Sequence, residues 1–360
     1  MPGSSFLLYG ANGYTGRLIA RHAAGYNLTP VLAGRSRESI VSLARDLNLP
    51  YKIIDLDDEV QLIEALKEVS VVLHAAGPFE YTASQMANVC IKAGTHYLDI
   101  NGDIAVFELL KKYDNAAREG GIMIMPGVGF DVVPTDCIAL QLKEKLPDAI
   151  KLELAFATVG GSLSHGTATT MAGKLGEGGA IRENGNIKKV ELGAKGMEIN
   201  FFAGAGKKDK SLFVMNIPWG DVSTAYFTTG IPNIETYVGV SKKSWYVLKL
   251  QFLFNWLLRT EFIRNKIKSK INSLPAGPTD EQRKNATGLV WGRATNAAGT
   301  IVTAMLCGPE GYTITFHTSL LIIQKILGGN FKPGYQTPAK VYGSNLIAEV
   351  PGVELKKDQL

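Results

Sequence analysis

Glycines 10, 13 and 16 stand three residues apart in "YGANGYTGR", between the apolar run "SSFLLYG" and "RLIARHAA", whose apolar residues fall at helical spacing. Strand, glycine turn and helix in that order make a phosphate cradle. Gly10 lets the chain turn sharply, Gly13 lets the backbone approach a pyrophosphate, and Gly16 lets the helix lie close on the strand. Asn12, Tyr14 and Thr15 complete the turn. After the next strand, "TPVLAGRS", come Arg35, Ser36 and Arg37. An NAD enzyme usually carries Asp or Glu there to hold the ribose hydroxyls. Guanidinium forks suit a 2′-phosphate instead, so NADP(H) is expected in preference to NAD(H). Asp55, near the end of "YKIIDLDD", is expected on the adenine side. Ala76, Gly77, Pro78 and Phe79, where "SVVLHAAGPF" ends, close the expected cofactor set.

Hydride chemistry also needs a proton delivered to carbon or oxygen. Four side chains are the candidates: Tyr81, just past the Gly-Pro-Phe loop; Asp99, ending "THYLDIN"; Asp131, after Gly129 and Phe130; and His165, in "GGSLSHGTATT". Each also has a structural reading. A tyrosine at a strand end packs, aspartates cap turns and helices, and His165 sits in a loop whose hydroxyls start a helix. Tyr226 and Tyr237 lack the lysine four residues on that a Tyr-x-x-x-Lys pair would need. Cys90, Cys137 and Cys307 are widely spaced, with no C-x-x-C pair. That argues against a zinc site or a disulfide framework, and no metal is expected.

The elements that must hold these groups alternate. Up to about residue 130, strands and amphipathic helices follow one another, which implies a doubly wound parallel sheet of Rossmann type with ligand at the strands' carboxyl ends. Beyond it, "KLELAFATV", "MEINFFAG", "KSLFVMNIPWG" and "NIETYVGV" read as strands of a mostly antiparallel sheet, with "GLVWGRATNAAGTIVTAMLCG" a hairpin in it. The expected fold is α/β with a second α+β domain. Residues 1–130 bind NADP, residues 131–309 form a substrate and dimerisation domain, and residues 310–360 return to the first through the helical "GYTITFHTSLLIIQKILGG".

At 360 residues, two domains are the natural prior. A net charge of +5 selects no partner by itself, and no nucleic-acid partner is expected. The chain enters a strand almost at once, without a secretory signal, so a cytoplasmic setting is expected. Residues 244–271 stand apart, with Trp245 and Trp256 on an apolar stretch followed by Arg264, Lys266, Lys268 and Lys270. The apolar run is shorter than the roughly 20 residues that span a bilayer. It reads either as packing, in the core or between the subunits of a homodimer, or as peripheral contact with the inner face of a membrane.

Together, "GANGYTG", "AGPF", "AGTHYLDINGD", "PGVGFDVVPTD" and the C-terminal "GYTITFHTSLLIIQKILGGNFKPGYQTPAKVYG" resemble the saccharopine dehydrogenase-like oxidoreductases, a group that includes trans-acting enoyl reductases of lipid biosynthesis. The resemblance touches both ends of the chain and leaves roughly residues 180–285 weakly matched. It implies an NAD(P)-binding Rossmann domain, an inserted α/β substrate domain, and lipid association in some members. The expected function is NADPH-dependent reduction of an enoyl or carbonyl group on a lipid-like substrate. The alternatives are a nucleotide-binding protein that docks on a membrane or partner without turnover, and saccharopine or amino-acid dehydrogenation. For the last, no basic residues that would grip a dicarboxylated substrate stand out.

Overall fold

A computed structural model of the chain describes residues 5–174, 177–249, 260–273 and 275–356. The chain divides into two compact units, residues 1–133 with 312–342, and residues 134–311 with 343–360.

The first unit is built on a seven-stranded sheet in which every pairing is parallel. Its main strands are β1 (Ser5–Tyr9), β2 (Thr29–Gly34), β3 (Tyr51–Ile53), β4 (Val71–His74), β5 (His96–Asp99) and β6 (Met123–Met125). They run in the spatial order β6-β5-β4-β1-β2-β3, with a short edge strand, Gly334–Tyr335, beside β6. The order reverses between β1 and β4, and there a doubly wound sheet opens a crevice for ligand. All residues of β4 and β5 are buried, as expected of parallel strands covered on both faces. Helices α1 (Tyr14–His22), α2 (Arg37–Leu47), α3 (Glu59–Lys67), α4 (Phe79–Ala93), α5 (Ile104–Leu110) and α6 (Asp114–Glu119) make the connections. A 3-10 turn at Lys111–Tyr113 separates α5 from α6. The helix Gly311–Leu327 buries Ile314, Phe316, Leu320, Ile322, Ile323 and Ile326, and from Tyr312 onward it belongs to this unit.

The second unit has a mixed sheet built from β7 (Ala149–Val159), β8 (Gly179–Glu183), β9 (Asn186–Val190), β10 (Gly196–Phe201), β11 (Lys210–Asn216), β12 (Asn233–Gly239), β13 (Thr287–Asn296) and β14 (Ile301–Pro309). Its main path is β10-β11-β12-β7-β13-β14, and every pairing along it is antiparallel except β12 with β7. The expected hairpin is β13 with β14, in register from Thr287↔Pro309 to Thr295↔Ile301. One face is covered by α7 (Val133–Lys145), where a side chain on Gly292 would strike Ile138 and Leu142. The other face carries a core of Ala155, Ala157, Ile199, Phe201, Val214, Tyr237, Leu289 and Trp291.

One expectation needs correcting. The expected return of residues 310–360 to the first unit ends at Tyr342. Beyond it, Glu354–Leu355 pairs with the open edge of β14, so the tail completes the second sheet. Within 242–272 the described residues form two helices, α10 (Lys242–Lys249) and Glu261–Asn272. Thr260 is in extended conformation and its hydroxyl accepts from the Ile263 amide, a cap that starts a new helix. Trp256 and the apolar stretch around it lie outside the described residues. Two further helices, α8 (His165–Gly173) and α9 (Asp221–Thr229), complete the elements used below.

Candidate functional site

The three glycines at the end of β1 have three different surroundings. Gly10 has φ +85, and a Cβ there would lie 2.8 Å from the backbone of Ala75 and Ala76. Its amide donates to the Ala33 carbonyl at 2.8 Å, so the turn is wedged between the ends of β2 and β4, where the strand order reverses. A Cβ on Gly16 would come 2.4 Å from the Gly10 carbonyl, so α1 can approach β1 only as glycine. Gly13 differs, since its nearest neighbour would be the Gly10 oxygen at 3.4 Å. The fold does not need glycine there, but a ligand lying against the backbone does. Gly13 also caps α1 without a side-chain oxygen, and the first turn holds no acidic residue. That end of the helix is suited to an anion. Tyr14 packs edge-on against Tyr312 at 5.0 Å, and Arg17 Nε donates to the Asn12 carbonyl at 3.0 Å, fixing the loop from both sides.

Along β2 the sheet ends at Gly34, where a Cβ would meet Ile40 at 3.3 Å and Asn12 Oδ1 at 3.4 Å. Arg35 and Arg37 follow, both exposed, with Ser36 as the cap position of α2 and its hydroxyl on Ser39 Oγ at 3.1 Å. Asp55 lies beyond β3 and accepts from the Asp57 amide at 3.1 Å. Tyr9 donates to the Ile54 carbonyl at 3.2 Å, and burial together with the Asp55 charge pushes its hydroxyl up to about 12. Arg35, Ser36, Arg37 and Asp55 therefore sit at the carboxyl ends of β2 and β3, on the side of β1 that binds the adenosine half in this fold.

On the other side of the crevice, β4 ends in His74, fully buried between Tyr9 at 5.7 Å, Phe79 at 5.4 Å and Tyr97 at 6.3 Å. Burial lowers it to about 3, so the ring is neutral at any working pH. Thr82 Oγ1 donates to the Ala76 carbonyl at 3.0 Å and accepts from His74 Nε2 at 2.9 Å, which fixes the Nε2–H tautomer. This chain of bonds ties the Ala76-Gly77-Pro78 loop to the strand beneath it. Gly77 and Pro78 are exposed at the loop's tip.

Asp99, at the end of β5, is fully buried. Its carboxylate accepts from the Tyr97 hydroxyl at 2.6 Å, the Asn101 amide at 3.0 Å, Asn101 Nδ2 at 2.7 Å and the Gly127 amide at 2.8 Å. Burial raises its pKa while these donors pull it down. With four donors it is a clasp between the loops after β5 and β6. Asp131, in the loop after β6, is different: burial pushes its carboxyl up to about 7. It lies against Gly102, where an added Cβ would meet its Oδ2 at 2.6 Å. The helix Gly311–Leu327 holds the same loop, with the Phe130 amide on Thr315 Oγ1 at 3.0 Å and Thr318 Oγ1 on the Val128 carbonyl at 2.7 Å.

The fold thus gathers the glycine loop, the arginines, Ala76 to Phe79, Asp99 and Asp131 along one edge of the first sheet. Tyr81 lies in the first turn of α4 and is 73% exposed. His165 belongs to the second unit, as the first residue of α8, its amide on the Ala276 carbonyl at 3.0 Å. Sequence reasoning missed His74, Thr82, Asn101 and Thr315. For Asn101 a signal existed, since an Asp two residues before an Asn at a strand end forms an Asx-type turn. For His74 and Thr315 only the packing reveals the role.

Residues 6–125 match the family described as the saccharopine dehydrogenase NADP binding domain. The first unit carries a saccharopine dehydrogenase-type NADP-binding domain. Among curated relatives, the chain is 28% identical over 173 residues to a saccharopine dehydrogenase-like oxidoreductase of Bos taurus, covering 42% of this chain and 40% of that protein. It is 31% identical over 144 residues to the trans-acting enoyl reductase of Mycobacterium tuberculosis (strain ATCC 25177 / H37Ra), covering 38% and 34%. The chain spans half or less of the length of the curated relatives it matches. Apo saccharopine dehydrogenase (L-Glu forming) from Saccharomyces cerevisiae superposes with a TM-score of 0.68 at 13% identity, over 98% of this chain and 99% of that one. At that identity the likeness is one of fold. The match agrees with the cofactor expected from the arginine pair after β2.

Proposed function

We propose that the chain is an NADPH-dependent reductase of an enoyl or carbonyl group on a lipid-like substrate, with the first unit holding the cofactor and the second the substrate. The observation that carries this reading is the Asp131 carboxyl, held near 7 at the carboxyl edge of an NADP-binding sheet. A general acid works best with a pKa near the operating pH. When bound, NADPH supplies a hydride. The chain's own part is to bind, to orient and to move one proton. Gly10, Asn12, Gly13, Tyr14, Thr15 and Gly16 hold the pyrophosphate, Arg35, Ser36 and Arg37 the 2′-phosphate, Asp55 the adenine side, and Ala76 to Phe79 the loop over the cofactor. Protonated Asp131 gives its proton to the enolate carbon or alkoxide left by reduction and recovers one from solvent. Asp99 positions both loops. Tyr81 and His165 are the alternative donors.

The relative named as an enoyl reductase supports the substrate class. Around α10 and the helix Glu261–Asn272, Tyr246, Val247 and Phe262 are exposed, with Lys266 and Lys270 exposed beside Phe262 on the same helix. This supports peripheral contact with a lipid surface, and a homodimer contact is the competing use of the same residues. Among the described residues no helix is long and apolar enough to cross a membrane. The deciding experiment follows NADPH oxidation at 340 nm with 2-enoyl thioesters and long-chain ketones, beside lysine with 2-oxoglutarate. Turnover confined to the lipid-like acceptors supports the proposal. Tight NADPH binding with no turnover on any of them would leave a nucleotide-binding protein.

A further inference from the structure

On the second sheet, Glu235 of β12 stands in register with Glu153 of β7, and Glu153 with Arg293 of β13. The three form one row across neighbouring strands, on the face that also carries Ala155, Tyr237 and Trp291. Two carboxylates side by side and nearly dry, at 4% and 7% exposure, repel each other unless compensated. Here each of the four oxygens has a partner. Glu153 takes Arg293 Nε at 2.7 Å and Lys151 Nζ at 3.2 Å, and Glu235 takes Lys195 Nζ and the Tyr237 hydroxyl, the latter at 2.6 Å. The Arg293 bond and the Lys151 charge hold Glu153 below its usual range despite its burial.

The row is neutralised, but among the described residues nothing fills the space above it. A cavity of about 440 Å³ opens there, lined by Lys151, Lys195, Lys249, Met197 and Trp245 above the two carboxylates. That is within the size of small-molecule sites. Lys249 adds a fourth cation, 4.4 Å over the Trp245 ring, and makes no ion pair among the described residues. Four cations therefore face two carboxylates. Lys151 and Lys195 are 41% and 59% exposed, and an ammonium has three N–H groups, of which the carboxylate contact takes one. The indole is held in place, its N–H on the Gly193 carbonyl at 2.8 Å and its ring 5.0 Å from Phe213. At Gly196 a Cβ would come 3.0 Å from it, so the bare backbone there gives the ring its room.

We propose that this cavity is a binding site for an organic anion: a phosphate or carboxylate on Lys151, Lys195 and Lys249, joined to an apolar or flat body lying on Trp245 and Met197. It is a site of the second unit's own, independent of the cofactor reading. Such an anion comes from two sources, a lipid with an acidic head or a water-soluble aromatic acid, and the same chemistry recognises both.

The test titrates the whole chain, with NADP⁺ saturating so that the glycine loop is occupied, and follows binding by calorimetry and tryptophan emission. The probes are phenyl phosphate, dodecyl phosphate below its micelle concentration, and inorganic phosphate. Saturable binding of one organic phosphate per chain, with inorganic phosphate at least tenfold weaker, is expected. Tighter binding of the dodecyl ester assigns the lipid source, and tighter binding of the phenyl ester the aromatic one. Lys249→Ala, an exposed change that leaves the Glu153 and Glu235 pairs intact, should weaken binding about three- to tenfold. Lys195→Ala with Glu235→Gln, which avoids a stranded carboxylate, should weaken it further. No saturable binding, equal affinity for inorganic phosphate, or affinity unchanged in both variants would overturn the proposal.

Discussion

Asp131 is the proposed proton donor, and its pKa has an effect on stability that can be signed. Its folded pKa, about 7, lies above the ordinary carboxyl value. Its contribution to stability is therefore fully present below about pH 4 and is lost as pH rises through 7. At pH 8, with the carboxyl moved from 3.8 to about 7, ionisation costs about 4 kcal/mol. Asp131→Asn should lower turnover by about 100-fold or more, the scale of a lost general acid. Urea unfolding should find that variant no less stable than the native chain at pH 8, and relatively less stable at pH 5. Equal pH dependence in the two proteins would deny the raised carboxyl. The glycines make a second contrast. Gly13→Val should abolish NADP⁺ binding in titration and keep the native circular dichroism, because a Cβ there meets only the Gly10 oxygen, at 3.4 Å. Gly16→Ala should instead lose the fold's stability, having no room at 2.4 Å. Arg35→Asp with Arg37→Ala should weaken NADPH binding by about 2–4 kcal/mol, the worth of charge-assisted contacts, and spare NADH. The glycines and arginines were legible in the sequence because backbone chemistry and charge are properties of residue type. The standing of Asp131 against Asp99 was not. Both are aspartates at strand or loop ends, and only the folded chain shows one wrapped by four donors and the other shifted by burial.

At the scale of elements, periodicity read the parallel sheet well, because buried strands between amphipathic helices leave a strong pattern. It failed where a capping residue decides. Residues 244–271 look continuous by hydropathy, yet the Thr260 hydroxyl caps a helix that begins at Glu261. The β8–β9 hairpin was also missed: the Asn184-Gly185 turn that closes it sits between charged, weakly patterned strands. The separate basic helix sharpens the membrane question. If Phe262 with Lys266 and Lys270 meets lipid, the protein should pellet with anionic vesicles and not with neutral ones. Lys266→Gln with Lys270→Gln should remove about 2 kcal/mol of that preference, at about 1 kcal/mol per charge, and added salt should do likewise. NADPH affinity should not change. An absence of pelleting at low salt, with a concentration-dependent dimer in sedimentation, would assign these residues to subunit packing.

For the whole molecule, two domains were foreseeable from length, but not the path of the chain between them. The backbone leaves the first unit at Val133, returns at Tyr312 and leaves again after Tyr342. The first sheet thus lacks an edge strand, and its core lacks a helix, until a segment remote in sequence arrives. A fragment ending at Val133 should therefore be largely unfolded by amide exchange and bind no NADP⁺. A version joining residues 1–133 to 312–342 through a short linker should regain both properties. Folding of the short fragment alone would show that the returning helix is dispensable.

That same path sets a timetable for biosynthesis. Residues 134–311 must leave the ribosome before the helix that seals the first core is made. At 5–20 residues per second this interval lasts about 9–36 s. Throughout it the nascent first unit presents the strand edge beside β6 and the apolar bed of the missing helix to whatever surrounds it. A chaperone acting on this protein would find its substrate there, on a chain more than a third made, and would be released by the arrival of Ile314 to Ile326.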